Sequence, residues 1–284
     1  MRPLRRLFND SVKVVTQRQM MPLYYRLAGK LKPLPITIPC HKQKGVVFSF
    51  DVETFPYDNV GIGDIPEEYS DFLPRLLGLL DSYSVKGHFF VSGRAVELYP
   101  DCFKRVVERG HCIGGHGYMH ERMSTLSYDK QRDVIRKVED CCKRLLGVEI
   151  STWRSPFATS NFDTYRALNE YGFRLSSSQD STSAFLQIKD VLEVPYSIAD
   201  GEILGYKNPL HWSKLVDASK KEIADSRRRI SVLLIHTKFH MSHDPKLESM
   251  ERLLSWLETR KEEMWIGSMD ELLLNYHARE DSMR

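Results

Sequence analysis

Short apolar runs alternate with helical patterns along most of this 284-residue chain, and this alternation limits the folds open to it. The run Gly45–Glu53 predicts a first buried strand, and Ile230–His236 predicts a central strand near the other end. Most of the intervening helical patterns end at a glycine, as at Gly110, Gly147 and Gly172. Strands that alternate with helices predict an α/β fold with a parallel sheet, and about seven such units favour a closed barrel over an open sheet.

The remaining elements follow from the same patterns. Strands are predicted at 86–91, 111–115, 173–177, 191–194 and 265–266, with a further strand ending at Trp153; helices are predicted through 76–80 and over 95–109, 127–147, 163–171, 214–224, 247–261 and 269–276. Asp71 is the expected cap of the first helix. We divide the chain into a basic extension (1–44), one main domain (45–278) and a short tail (279–284).

Composition narrows the class of protein. Hydrophobic residues make up 42% and charged residues 28%, as in soluble globular proteins, and a net charge of +3 is too weak to indicate nucleic-acid binding. Five cysteines without a CxxC pair, and a basic start without an apolar segment behind it, predict a reduced, cytoplasmic protein. An amphipathic helix near Leu23–Leu31 could contact a membrane or a partner, but by about two to one we favour packing on its own domain. The oligomeric state stays open.

Four predicted strands end in polar residues. The first delivers Asp51 and Glu53 to one face, because side chains alternate along a strand, and Val52 to the other. The third is followed by His116 and His120, the fourth by the run 154–157, and the strand 230–236 ends on a histidine. The carboxyl ends of parallel strands meet on one face of a barrel, so these side chains are expected to converge.

This convergence predicts a metal site. His116 and His120 are spaced i, i+4, so on a helical turn both rings would share a side and, with a carboxylate, leave one position of a zinc ion open. Taken alone, two exposed loop histidines would be the commoner explanation of this spacing. Arg154 is predicted to pair with a carboxylate and hold it ionised, and His236, which on another strand would be a core residue, is predicted to act at the site.

These segments, in this order, resemble the polysaccharide deacetylase family, the NodB-homology domain of carbohydrate esterase family 4. The matching segments are Ser49-Phe50-Asp51, His116-Gly117-Tyr118-Met119-His120, Arg154-Ser155-Pro156-Phe157 and Leu233-Leu234-Ile235-His236, with a further match at Gly87–Val91, within a similarity that covers roughly residues 45–275. The resemblance implies a distorted (β/α) barrel with seven strands and metal-dependent hydrolysis of an amide, commonly the N-acetyl group of an amino sugar.

The resemblance also implies roles. Asp51 matches the catalytic base, His236 the general acid, and Arg154 the residue that orients the base; His116 and His120 match metal ligands. The predicted substrate contacts are Tyr118, Pro156, Phe157 and Asp180, with a backbone N–H near Tyr118 or Phe157 expected to bind the oxyanion. Zinc is the expected ion, with cobalt or nickel as alternatives.

Two positions depart from the family pattern. The usual first motif has a second, adjacent aspartate as metal ligand, but this chain has Val52 there, and alternation makes Glu53 the predicted ligand instead. The family's aspartate–tryptophan motif is not evident, and Asp180 is its nearest candidate. The run Tyr171-Gly172-Phe173-Arg174, together with serines 176–178, also resembles family members that act on small amides rather than polymers.

We therefore predict a hydrolase of carbon–nitrogen bonds that acts on an amino sugar or sugar conjugate. The sequence favours a soluble metabolite or a nucleotide- or lipid-linked sugar over an extracellular polymer. Two alternatives stay open: hydrolysis of a small linear or cyclic amide at the same site, and an inactive barrel that serves as a binding module.

Overall fold

One curved sheet with helices on its outer side organises the part of the chain described by the computed structural model, which is residue 38 and residues 42–54, 66–179, 185–201, 212–225 and 229–282. The strands are β1 Lys44–Val52, β2 His88–Val91, β3 Cys112–Gly115, β4 Thr152–Trp153, β5 Leu175–Ser176, β6 Leu186–Ile188, β7 Val191–Glu193, β8 Ile198–Ala199, β9 Ile230–His236 and β10 Met264–Gly267. The helices are α1 Leu73–Ser82, α2 Gly93–Leu98, α3 Pro100–Glu108, α4 Tyr128–Leu146, α5 Phe162–Glu170, α6 Ser213–Ala224, α7 Thr237–His243, α8 Glu248–Glu258 and α9 Met269–Ser282.

β1 lies at the centre of the sheet. The strand order is β6-β7-β5-β4-β3-β2-β1-β9-β8, and β10 joins β1 beside β2. One edge of β1 pairs with β9 from Gly45 to Asp51, and the other pairs with β10 near its start and with β2 near its end. All pairs are parallel except β6–β7. Within the described ranges no pair joins β8 to β6 or β7, so the predicted distorted barrel is confirmed in the form of a half-barrel.

Alternation along β1 separates two hydrophobic cores. Val46, Phe48, Phe50 and Val52 pack outward with the surrounding helices. The inward-facing Val47 belongs to a second core inside the barrel, whose other members include Phe90, Leu234, Met269 and Leu272. The inner face of the sheet changes from apolar to polar toward the carboxyl ends of its strands. The polar side chains of a site can therefore gather at that end.

Most predicted elements are present, with three corrections. Asp71 does not cap α1, because it lies in a π-helical turn, Glu68–Phe72, that runs directly into the helix, and it pairs with Arg75 instead (2.6 Å). β6, β8 and α7 were not predicted. The last helix continues to Ser282, into the segment assigned to the tail. The predicted helix near Leu23–Leu31 lies outside the described residues, and among those described no helix combines the length and apolar character that a membrane span requires.

Gly115 is required by close packing rather than by a turn. A Cβ atom there would lie 2.6 Å from the ring of Trp153, which is fully buried. We expect Gly115→Ala to lower the free energy of unfolding by about 1–3 kcal/mol, the usual cost of overpacking a core. Gly78→Ala is the matched control: Gly78 lies in α1 with no atom within 4 Å of the added Cβ, so alanine should stabilise by about 1 kcal/mol. Urea unfolding of both variants measures the difference, and equal stabilities would contradict the packing argument.

Candidate active site

Two carboxylates at the end of β1 face the interior of the barrel. Asp51 and Glu53 are both buried, whereas Val52, between them, is fully buried in the outer core. The one-residue spacing places both acids on the same face because strand side chains alternate. Val52 therefore points away from the interior, and Glu53 supplies the second carboxylate on the inner face, next to Asp51.

His116 and His120 meet at Glu53 from the segment that follows β3. Their Nε2 atoms lie 3.2 and 3.1 Å from the same oxygen, Glu53 Oε1. The predicted helical turn is wrong, because Gly117 (φ 71°) and His120 (φ 59°) both adopt left-handed backbone conformations. A turn built on these two residues, rather than a helix, brings the rings together.

The hydrogen bonds of His116 show that this cluster suits a cation. Its Nδ1 lies 2.8 Å from the carbonyl oxygen of Arg154, which can only accept, so Nδ1 carries the proton. In a neutral ring Nε2 would then present a lone pair to the Glu53 carboxylate, and the two would repel each other. A proton or a metal ion between them removes this conflict, and the fixed tautomer is the one that metal-binding histidines use.

The electrostatics of the cluster point the same way. Burial acts to raise the pKa of Glu53, but His120, His116 and His236 hold that pKa well below its ordinary range. Burial lowers the pKa of His116, but Asp51 and Glu53 outweigh it and raise that pKa above its usual value. Glu53 is therefore held as a carboxylate beside the His116 imidazole, which a divalent ion could deprotonate on binding. Glu53, His116 and His120 offer ligand atoms within 4.8 Å of one another, the donor set of a catalytic zinc site.

Arg154 locks one oxygen of Asp51. The guanidinium Nη1 lies 2.8 Å from Asp51 Oδ1, Nη2 donates to the hydroxyls of Ser49 and Ser177, and Nε donates to the Ser177 carbonyl. The guanidinium also stacks 4.3 Å from the centre of the Phe90 ring. These contacts fix the carboxylate of Asp51, whose second oxygen lies 3.7 Å from His116 Nε2.

A buried glutamate that sequence reasoning missed supports Arg154 from behind. Glu193 accepts the backbone N–H groups of Ser178 and Gln179 and the hydroxyl of Tyr165, at 2.8, 2.8 and 2.9 Å. Burial raises the pKa of Glu193 to about 7 despite these donors. The segment that Glu193 anchors also carries Ser177, a partner of Arg154. An acid inside the apolar run of β7 was the available signal.

His236 is paired with Asp200, which sequence reasoning also missed. Nδ1 of His236 lies 2.6 Å from Asp200 Oδ1, and its backbone N–H donates to Oδ2 at 2.8 Å. Burial acts to lower the pKa of His236, but the Asp200 carboxylate, with Glu53 and Asp51 beyond it, raises that pKa to about 10. The Nε2 atom lies 4.0 Å from Glu53 Oε1. The structure thus gives His236 a buried aspartate as its partner. Asp180, predicted as a substrate contact, lies outside the described residues.

Of the other predicted substrate contacts, Tyr118 points away from the cluster, whereas Pro156 and Phe157 lie beside it. The hydroxyl of Tyr118 donates to Glu97 and its backbone N–H to Glu121, so both groups are engaged away from the cluster and this N–H is not placed for an oxyanion. Pro156 is buried beside the Gly117 turn. Phe157 is 37% exposed, and its ring centre lies 4.4 Å from that of His120, at the rim of the site.

Fold and site together define a half-barrel protein whose strand ends surround a buried metal-type cluster, with an arginine-held aspartate on one side and an aspartate-paired histidine on the other. Residues 39–176 match the family model described as polysaccharide deacetylase. Over this segment, which is just under half of the chain, the sequence is similar to the polysaccharide deacetylase family.

Individual relatives match more locally in sequence and more widely in fold. The chain is 34% identical over 87 residues to peptidoglycan-N-acetylglucosamine deacetylase of Bacillus cereus, covering 31% of this chain and 32% of that protein. It spans about a third to two fifths of the length of the first curated relatives that it matches. A crystal structure from Mycobacterium smegmatis, classed with the polysaccharide deacetylases, has a TM-score of 0.76 at 22% identity and covers 88% of this chain and 96% of its own. The allantoinase Puue has a TM-score of 0.69 at 17% identity, covering 86% and 94%.

Proposed function

We propose that this chain is a metal-dependent hydrolase that removes the N-acetyl group of an amino sugar. The observation that carries the proposal is the single oxygen, Glu53 Oε1, that lies 3.2 and 3.1 Å from Nε2 of His116 and His120. One carboxylate and two imidazoles are the protein ligands of a catalytic zinc ion with an open position. Zinc is therefore the proposed ion, and cobalt and nickel are the alternatives.

The surrounding side chains divide the proton transfers between them. A bound divalent ion would supply a Lewis acid for the amide carbonyl and a water of lowered pKa, roughly 7 for zinc. Asp51, held through Oδ1 by Arg154, takes a proton from the attacking water through its other oxygen. His236, kept charged by Asp200, donates a proton to the leaving nitrogen as the carbon–nitrogen bond breaks. The products are acetate and a free amine.

The substrate class rests on the family and on the site's rim. The Bacillus cereus relative is named for N-acetylglucosamine in peptidoglycan, which favours a sugar carrying this group. The partly exposed ring of Phe157 beside His120 offers an apolar surface to one face of a sugar. Whether the sugar belongs to a polymer or to a nucleotide- or lipid-linked conjugate is for the substrate panel to decide. A cytoplasmic location stays a prediction.

A substrate panel tests the proposal. The purified protein, loaded with zinc, would be offered N-acetylglucosamine oligomers, peptidoglycan fragments, a nucleotide-linked N-acetylglucosamine and small cyclic amides, and acetate and free amine would be measured. We expect acetate release from at least one amino-sugar substrate. Turnover of cyclic amides alone would replace the sugar assignment with a small-amide hydrolase. A protein that retains no metal after reconstitution with zinc, cobalt and nickel, and turns over nothing, would be a binding module.

Asp51→Asn separates a base from a ligand. This change keeps the shape of the side chain and its place beside Arg154 but removes the proton acceptor, so we expect turnover to fall by about 100-fold or more. Metal content should stay at the wild-type level, as measured by elemental analysis. A parallel loss of metal would mean that Asp51 is a ligand and that another group is the base.

A further inference from the structure

A second group of metal-type side chains lies at the amino ends of β2 and β3. His88 is the first residue of β2, Cys112 is the first residue of β3, and Asp270 lies in the first turn of α9. Their ligand atoms all lie within 4.8 Å of one another. β2 and β3 pair with His88 opposite Cys112, so two of the three ligands sit on adjacent strand starts. None of these residues takes part in the site at the strands' carboxyl ends.

His88 brings an unused ring nitrogen to this group. The side chain is fully buried, its Nε2 lies 2.8 Å from the hydroxyl of Thr152, and its Nδ1 has no hydrogen-bond partner among the described residues. When Nε2–H donates to Thr152, Nδ1 carries a lone pair. A buried lone pair without a donor is costly, and an ion would satisfy it. Burial also lowers the pKa of His88 to about 4, which keeps the ring neutral, as a metal ligand must be.

We propose that His88 Nδ1, Cys112 Sγ and an Asp270 carboxylate oxygen bind a second divalent metal ion. Nitrogen, sulfur and oxygen donors together suit zinc, or cobalt as its substitute, rather than magnesium or calcium, which take oxygen ligands. The hydroxyl of Thr152 can accept the Nε2 proton and leave the Nδ1 lone pair for the ion, as outer partners of metal-binding histidines do. On binding, the Cys112 thiol gives up its proton to solvent and the sulfur bonds to the ion, so affinity rises with pH.

The location gives this ion a structural role. α9 contributes Met269, Leu272 and Leu273 to the core inside the barrel, and Asp270 lies within the same turns. An ion shared by β2, β3 and α9 would fasten this helix across the amino ends of the strands. Those ends lie away from the face where barrel chemistry collects, so the ion should stabilise the fold without taking part in the reaction. Cys112 is partly exposed, which gives an ion a route of entry.

Cobalt titration of metal-free protein tests the proposal without reference to activity. A cobalt ion bound to a thiolate shows sulfur-to-metal charge-transfer absorption, and the Glu53 cluster contains no sulfur, so the signal reports only the second site. We expect this absorption in the wild type and in Glu53→Ala, and its loss in Cys112→Ser. Cys141→Ser is the matched control, because Cys141 is a buried free cysteine that faces Glu97, and it should keep the absorption.

Asp270→Asn provides a second variant that leaves both strands intact. It should keep the thiolate signal but weaken cobalt binding by about tenfold or more, since one ligand is lost. Absence of the absorption in the wild type at saturating cobalt would overturn the proposal, and so would its survival in Cys112→Ser. An unchanged titration of Asp270→Asn would overturn the ligand assignment. Failure of Glu53→Ala to bind a second equivalent is expected and concerns the proposed active site alone.

Discussion

Glu53→Ala is expected to weaken zinc binding by more than about 100-fold and to abolish turnover with it. The variant leaves two protein ligands, His116 and His120, whereas catalytic zinc normally has about three. Loss of an outer hydrogen-bond partner alone already costs roughly 10–100-fold in metal affinity, so loss of a ligand should cost more. Elemental analysis and a competitive zinc titration measure the effect.

Two further variants show which residue supplies the carboxylate. Glu53→Asp keeps the oxygen type but shortens its reach, so it should restore part of the zinc affinity. Val52→Asp should not rescue Glu53→Ala, because residue 52 lies in the outer core among the helices. In the wild-type background Val52→Asp should mainly destabilise the fold, since it buries an unpaired charge.

Two results would contradict the assignment of Glu53 as the third ligand. If Val52→Asp restored metal binding to Glu53→Ala, β1 would have to bulge and present residue 52 to the interior. If Glu53→Ala kept full metal and full rate, Glu53 would not be a ligand. Comparable unfolding free energies for Glu53→Ala and the wild type in chelator would show that any loss of metal is not a loss of fold.

The parts of this structure that depend on neighbours in sequence were predictable from sequence. Ser127 precedes α4 and Gly147, with φ of 72°, ends it, because helix ends are set by local backbone chemistry. The position of Glu53 on the same face as Asp51 was predicted in the same way, since the alternation of side chains along β1 is a local property. Strands of two or three residues, such as β6 and β8, are too short to show a period, and for this reason they were missed.

The parts that depend on distant pairing were not predictable. No partner of His236 was predicted from the sequence, and the structure gives it Asp200, which follows β8. That partnership depends on the register of β8 against β9, which pairs Ala199 with Leu234 and brings residues 36 positions apart into contact. The prediction of a helical turn at His116 and His120 was wrong for another reason. Their i, i+4 spacing suits a helix, but Gly117 and His120 adopt left-handed backbone conformations that interrupt it.

Asp200→Asn is expected to lower kcat/KM by about 100-fold at neutral pH, toward the lower end of what a positioned acid or base contributes. Asp200 has two oxygens in use: Oδ1 accepts from Nδ1 of His236 and from the backbone N–H of Gly201, and Oδ2 accepts from the backbone N–H of His236. Asparagine retains one acceptor oxygen and has no charge. The imidazole then loses both its orientation and its stabilising partner.

The pH profile should change in one direction. The Asp200 carboxylate raises the pKa of His236, which reaches about 10, so removal of its charge must lower that pKa. A general acid works only while protonated, and the alkaline limb of the kcat/KM profile should therefore move to lower pH in Asp200→Asn. A shift of this limb to higher pH, or no shift with a reduced rate, would mean that His236 is not the group that titrates in this limb.

Asp244→Asn is the matched control for this prediction. Asp244 is also a buried aspartate whose oxygens accept backbone N–H groups, those of Glu248 and Ser249, but its histidine partner is His240 rather than His236. The same change there should lower the free energy of unfolding, because Asp244 caps the start of α8, and should leave the alkaline limb in place. Since a general loss of rigidity would move both variants alike, only a shift confined to Asp200→Asn assigns the proton donor to the Asp200–His236 pair.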